Sequence, residues 1–105
     1  MLGRPTRQPE ATTGGLALAT LKRHHAPGFP LDLYQQLLDE VRSSQSAADG
    51  FVSHYGIAEG DGLTVIEVWD SVAQHDAWFD VAVRPELPAG TPEPEFFEIL
   101  GSNTR

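Results

Sequence analysis

His54, Glu67 and Trp69 are the side chains of this sequence whose types and spacing suggest chemistry. They lie in the stretch FVSHYGIAEGDGLTVIEVW, residues 51–69, which reads as two runs rich in Val, Ile and Tyr joined by Glu59-Gly60-Asp61-Gly62, a compact hairpin turn. A two-residue turn at Gly60-Asp61 sets His54 opposite Glu67 and Val52 opposite Trp69, so His54, Glu67 and Trp69 share one face of the hairpin. An imidazole beside a carboxylate is a general acid/base pair. The carboxylate favours the protonated imidazole and burial opposes it. The pair also fits a structural ion pair across the hairpin, and Trp69 also fits a core aromatic with its indole bonded to backbone.

If helices cover that face, the three residues line a cleft whose apolar walls are Tyr34, Leu37, Trp78 and Phe79, with Val52 opposite Trp69. An apolar pocket with a few converging polar groups is the usual shape of a small-molecule site. Tyr55, with Phe51 and Ile57, falls on the opposite face and reads as an interface residue. His24 and His25 end the first strand and are expected as exposed loop residues, and adjacent strand positions point to opposite faces, a poor chelate. His75 is expected to face solvent. The acidic run Glu93 to Glu98 reads as a solvated loop entering an edge strand. Ser71 has a capping role with no acyl-transfer triad around it, and no Gly-rich phosphate loop follows a strand, so neither a nucleotide cofactor nor a metal is expected.

These residues need a scaffold, and the hydrophobic period supplies one. Leu16 to Arg23, LALATLKR, is a short apolar run ending in charge, a strand. After turn signals at Pro27-Gly28, apolar residues recur at Leu33, Tyr34, Leu37, Leu38 and Val41, the spacing of one helical face, predicting a helix from Leu31 to about Ser44. The hairpin follows. Ser71-Val72-Ala73-Gln74 matches a capping box and opens a second helix bearing Trp78 and Phe79, with Pro85 ending or distorting it. Glu95 to Leu100 is the last strand. The order βαββαβ in so short a chain predicts an α+β, ferredoxin-like sandwich with strand order 4-1-3-2.

Composition narrows the partners. Seven Lys and Arg against fifteen Asp and Glu give a net charge of -8, the wrong sign for gripping nucleic acid. The absence of Cys excludes disulfides, thiolate metal sites and a Cys nucleophile. No run near Met1 resembles an export signal and none reaches the ~20 apolar residues of a membrane helix, so the expectation is a cytoplasmic protein without membrane or nucleic-acid partners. Residues 1–14 are expected to form a disordered tail and residues 15–105 a single domain. The third strand, Leu63 to Trp69, barely alternates, so both its faces look buried although two helices can cover only one. A homodimer packed sheet to sheet is the expected remedy.

The segment GFVSHYGIAEGDGLTVIEVWDS and the Trp/Phe-bearing helix after it resemble the antibiotic biosynthesis monooxygenase (ABM) domain family. The resemblance spans roughly Leu16 to Leu100 and is sharpest at Glu67-Val68-Trp69-Asp70-Ser71. It implies a dimeric α/β barrel, an architecture shared by cofactor-free monooxygenases, haem-degrading enzymes, polyketide cyclases and lactone isomerases. Oxygenating and haem-degrading members are similar to this chain at Trp69, and they typically add an Asn on strand one and, for haem, a His on helix two. Here strand one has no Asn, and His75 stands six residues after Trp69, about a turn earlier than that haem ligand. The resemblance therefore implies a cofactor-free enzyme of secondary metabolism acting on an aromatic or polyketide-like substrate. As a monooxygenase it would use His54 and Glu67 to deprotonate a phenol-like ring that Trp69 positions, and the anion would react with dioxygen. The alternatives are a cyclase or isomerase using the same base, or a non-catalytic dimer that binds a metabolite or protein.

Overall fold

The computed structural model describes residues 18–105. The tail expected over residues 1–14 lies outside the described residues, as do Leu16 and Ala17 of the expected first strand. Seven elements follow in order: β1 (Thr20–Ala26), α1 (Leu31–Ala47), β2 (Phe51–Glu59), β3 (Gly62–Trp69), α2 (Val72–Ala82), a short 3-10 turn (Arg84–Glu86) and β4 (Glu95–Glu98). The strands form one antiparallel sheet in the order β2-β3-β1-β4, the expected 4-1-3-2 arrangement, and the architecture is α+β and ferredoxin-like.

The first strand begins later and ends later than its hydrophobicity suggested. β1 is paired on both sides, with β3 over Thr20–Ala26 and with β4 over Thr20–Arg23, and ladder bonds carry it through Lys22, Arg23, His24 and His25. Those two histidines are therefore strand residues. His25 lies on the open face bonded to the Thr64 hydroxyl at 2.8 Å, and His24 is buried. Being central in the sheet outweighs the polarity of these side chains, because backbone pairing satisfies the main chain regardless of what it bears.

Both helices cover the same face. Tyr34 and Gln45 of α1 bond His54 and Glu67, while Phe79 of α2 lies against Lys22 and His24. α1 starts after Pro30, whose φ of -64° leads into the helix, and its apolar stripe Leu33, Tyr34, Leu37 packs on Ala26, Phe29 and Leu63. α2 is opened by Ser71, whose Oγ accepts from the Gln74 backbone N–H at 3.1 Å. The Gln74 side chain takes the Ser71 hydroxyl at 2.8 Å and does not return to the Ser71 backbone, so the expected reciprocal capping box is half made.

The hairpin turns at Gly60, whose φ of +62° is a conformation that glycine adopts without steric cost. His54 pairs with Glu67 as expected. Further along, a β-bulge intervenes: Ser53 pairs with Val68 and Phe51 with Trp69, leaving Val52 as the extra residue. The slip turns Phe51 onto the helix-covered face, where its ring meets Trp69 edge-on at 5.4 Å, and leaves Val52 exposed. Phe51 thus belongs with the core and not with Tyr55 and Ile57.

Candidate functional site

Strand register builds the site from one row of residues. His54 of β2 faces Glu67 of β3, which faces Lys22 of β1, and all three project beneath the helices. Glu67 is 2 % exposed and stands at the centre of the row. Its Oε2 accepts from His54 Nδ1 at 2.7 Å and from Gln45 Nε2 at 2.8 Å, and its Oε1 accepts from Trp69 Nε1 at 2.9 Å. Lys22 Nζ lies 3.6 Å from the same Oε1. Burial by itself would raise the Glu67 pKa, but the His54 bond, the Lys22 charge and the indole N–H outweigh it and hold the carboxyl at about 2.

An ionised Glu67 accepts only, so the proton between it and His54 resides on Nδ1. In the neutral imidazole Nε2 is then an acceptor, and the Tyr34 hydroxyl donates to it at 2.8 Å with the two rings nearly parallel. Burial and the Glu67 charge both push the Tyr34 phenol upward. Tyr34 therefore resists becoming a phenolate and can serve as a relay that gives up one proton while gaining another. Gly56 makes this contact feasible, because a Cβ there would collide with the Tyr34 hydroxyl.

The relay opens onto a cleft between helices and sheet. Tyr34, Leu37, Trp78 and Phe79 line it, together with Leu38 and Val41 of α1, Val65 of β3 and Leu87 beyond α2. Two expected site residues sit elsewhere. Val52 is displaced by the bulge to the exposed surface, and Trp69 is fully buried behind the cleft, where its indole N–H orients Glu67 and its ring contacts Phe51, His75 and Trp78. Trp69 is thus a positioning residue in this structure and presents no face to a ligand.

Four features escaped the sequence reading. Lys22 and His24 line the cleft, Gln45 completes the Glu67 bonds, and His75, expected in solvent, is fully buried against Phe79, Phe96 and Trp69. His24 Nε2 donates to the Pro92 carbonyl at 2.6 Å, fastening the Pro88–Pro94 loop to the cleft rim, and burial lowers its pKa. Burial likewise lowers that of His75, whose Nδ1 bonds Asp76 at 2.9 Å and whose Nε2 finds no partner among the described residues. Helical spacing offered a signal for two of these: Gln45 follows Val41 by four, and His75 precedes Phe79 by four. A haem ligand must present a ring nitrogen to an open cavity; His75 is walled in by aromatics and the cleft-lining His24 is tied to Pro92, so neither fits that role.

No family model and no curated protein matches the sequence. Solved structures do match. A conserved protein from Methanosarcina mazei superposes with a TM-score of 0.61 at 14 % identity, over 78 % of this chain and 93 % of that one. A putative antibiotic biosynthesis monooxygenase from Chloroflexus aurantiacus gives 0.54 at 22 % identity, over 82 % and 95 %. A monooxygenase from Streptomyces coelicolor, in complex with the ligand Nanaomycin D, gives 0.52 at 16 % identity, over 89 % and 96 %. The chain has the ferredoxin-like fold of the ABM-domain proteins. At these identities the likeness concerns the fold, and chemistry must be argued from the site.

Proposed function

We propose that this chain is a small-molecule enzyme of the monooxygenase type, which binds a flat, largely apolar ring compound in the cleft and deprotonates it without a flavin or metal. The observation that supports it best is the unbroken hydrogen-bonded chain from Glu67 through His54 to Tyr34, ending in an apolar cleft. A phenolic substrate gives its proton to the Tyr34 oxygen as the Tyr34 proton passes to His54 Nε2, and Glu67 stabilises the imidazolium so formed. The electron-rich anion then reacts with dioxygen. For a ring methylene next to the phenol, CH2 and O2 become C=O and H2O, which balances without an outside reductant. The same-fold Streptomyces coelicolor monooxygenase, which holds the ligand Nanaomycin D, supports a small-molecule ligand for this cleft.

The working form in this reading is a homodimer closed through the open sheet face. Tyr55, Ile57 and Phe97 are each about half exposed there, at 59 %, 48 % and 51 %. At roughly 25 cal/mol per Å² of apolar surface, covering such a face stabilises a small domain by an amount comparable with its own stability.

The test is a panel of polycyclic phenols offered to the purified protein in an oxygen electrode, with product masses recorded. The reading expects oxygen uptake matched by a product that has gained one oxygen and lost two hydrogens. Product formation without oxygen uptake would make the chain a proton-transfer isomerase or cyclase, and binding without turnover would make it a ligand-binding module.

A further inference from the structure

Lys22 is the one buried Lys or Arg lining the cleft among the described residues; its charge helps hold Glu67 ionised, but it passes no proton in the relay. Its side chain is 3 % exposed, and an ammonium brings three N–H donors into that apolar space. The carboxylate beside it is already engaged: Glu67 takes bonds from His54, Gln45 and Trp69, and leaves Lys22 Nζ at 3.6 Å, beyond the 2.7–2.9 Å typical of a charged N–H···O bond. On its other side Nζ lies 4.1 Å from the centre of the Phe79 ring, a cleft wall that holds the cation in place without accepting a conventional hydrogen bond. Taking the ammonium out of water is costly, and one carboxylate at 3.6 Å leaves its donors room for a further acceptor.

We infer that Lys22 is an anion-binding group of the cleft, which selects ring compounds bearing an acidic oxygen, a carboxylate or phenolate, through an ion-paired contact with Nζ. The inference rests on the cleft reading above and sharpens its substrate class. Ring walls and cation lie on the same side of the sheet, and the register places Lys22 two strands from His54. A ligand can therefore set its anionic oxygen on Lys22 while another of its protons faces Tyr34.

The experiment compares binding of 2-naphthoate with that of 2-naphthamide, a neutral probe of nearly the same shape, by calorimetry at pH 7.5. The wild-type protein is expected to prefer the carboxylate by about tenfold or more, the range of a charge-assisted hydrogen bond. Lys22→Met should abolish the preference while leaving naphthamide affinity within about twofold, and Lys22→Arg should keep it. Should Lys22→Met fail to fold, the 13Cε resonance of Lys22 in the wild-type protein provides the same test, since naphthoate should shift it and naphthamide should not. Equal affinity for both probes, or a preference that survives Lys22→Met, overturns the inference and leaves the cleft reading intact. Failure of both probes to bind removes the cleft reading along with it.

Discussion

The two faces of the sheet invert the ordinary distribution of polarity. Beneath the helices, the row His54, Glu67, Lys22 places two formal charges and an imidazole where apolar side chains would pack more cheaply. On the open face, Tyr55, Ile57 and Phe97 stand in water beside a polar group in which Arg23 lies 3.6 Å from Glu59 and 3.4 Å from Glu95. Because neighbouring residues on a strand point to opposite sides, the same strands supply both surfaces. Charge retained under cover suits chemistry, and apolar surface left in the open suits a partner.

Four perturbations would break or sharpen this contrast. The largest effect is expected inside: Glu67→Gln and His54→Gln should each lower kcat on a turned-over phenol by about 100-fold or more, the scale of general acid–base catalysis, with the circular dichroism spectrum unchanged. A structural ion pair would show the reverse, loss of stability with activity retained per folded molecule. Acid should come next. Glu67 has a pKa of about 2 against an ordinary 4.5, so its contribution is present above pH 4.5 and is lost as pH falls towards 2, a total of about 3 kcal/mol. His24 and His75, both lowered by burial, add an earlier decline below their ordinary 6.5. Urea midpoints at pH 7, 5 and 3 should therefore fall in two stages, and Glu67→Gln should remove the lower one.

On the open face, Ile57→Asp combined with Phe97→Asp should weaken self-association by about tenfold or more in sedimentation, since burying an unpaired charge opposes the interface, while each protomer stays folded. Unchanged mass would show that those residues face solvent in the working protein. The smallest effect is expected at Gly56→Ala, where the new Cβ displaces the Tyr34 hydroxyl: turnover should drop by about tenfold with His54 and Glu67 still paired. Tyr34→Phe should reproduce that loss and add little to it, as expected for two changes acting on one contact.

Much of the architecture could be read from the sequence because the signals were local. The Gly60-Asp61 turn set the pairing of His54 with Glu67, and the helical spacing of Leu33 to Val41 gave α1. Tertiary circumstances hid the rest. The bulge at Val52 goes with the packing of Phe51 on Trp69, and none of Phe51, Val52 and Ser53 is a glycine or proline that would mark its position. Lys22 looked like the charged end of an apolar run, and only its register against Glu67 shows it as part of a buried row. Gln45 lay in the helix's polar last turn and His75 near a helix start, positions where polarity ordinarily means solvent. Each is buried because a neighbour from a distant part of the chain meets it: Glu67 for Gln45, Phe96 and Trp69 for His75.

The relay depends on where one proton resides. Glu67 is held ionised and can only accept, which requires His54 to be protonated on Nδ1 and, when neutral, to keep a lone pair on Nε2 towards Tyr34 and the cleft. Long-range 1H–15N correlation spectra of the 15N-labelled protein, recorded under conditions where the ring is neutral, report this tautomer directly. A protonated Nδ1 with a bare Nε2 is the predicted pattern; a proton on Nε2 with Nδ1 bare would contradict the relay and, with it, the proposed chemistry.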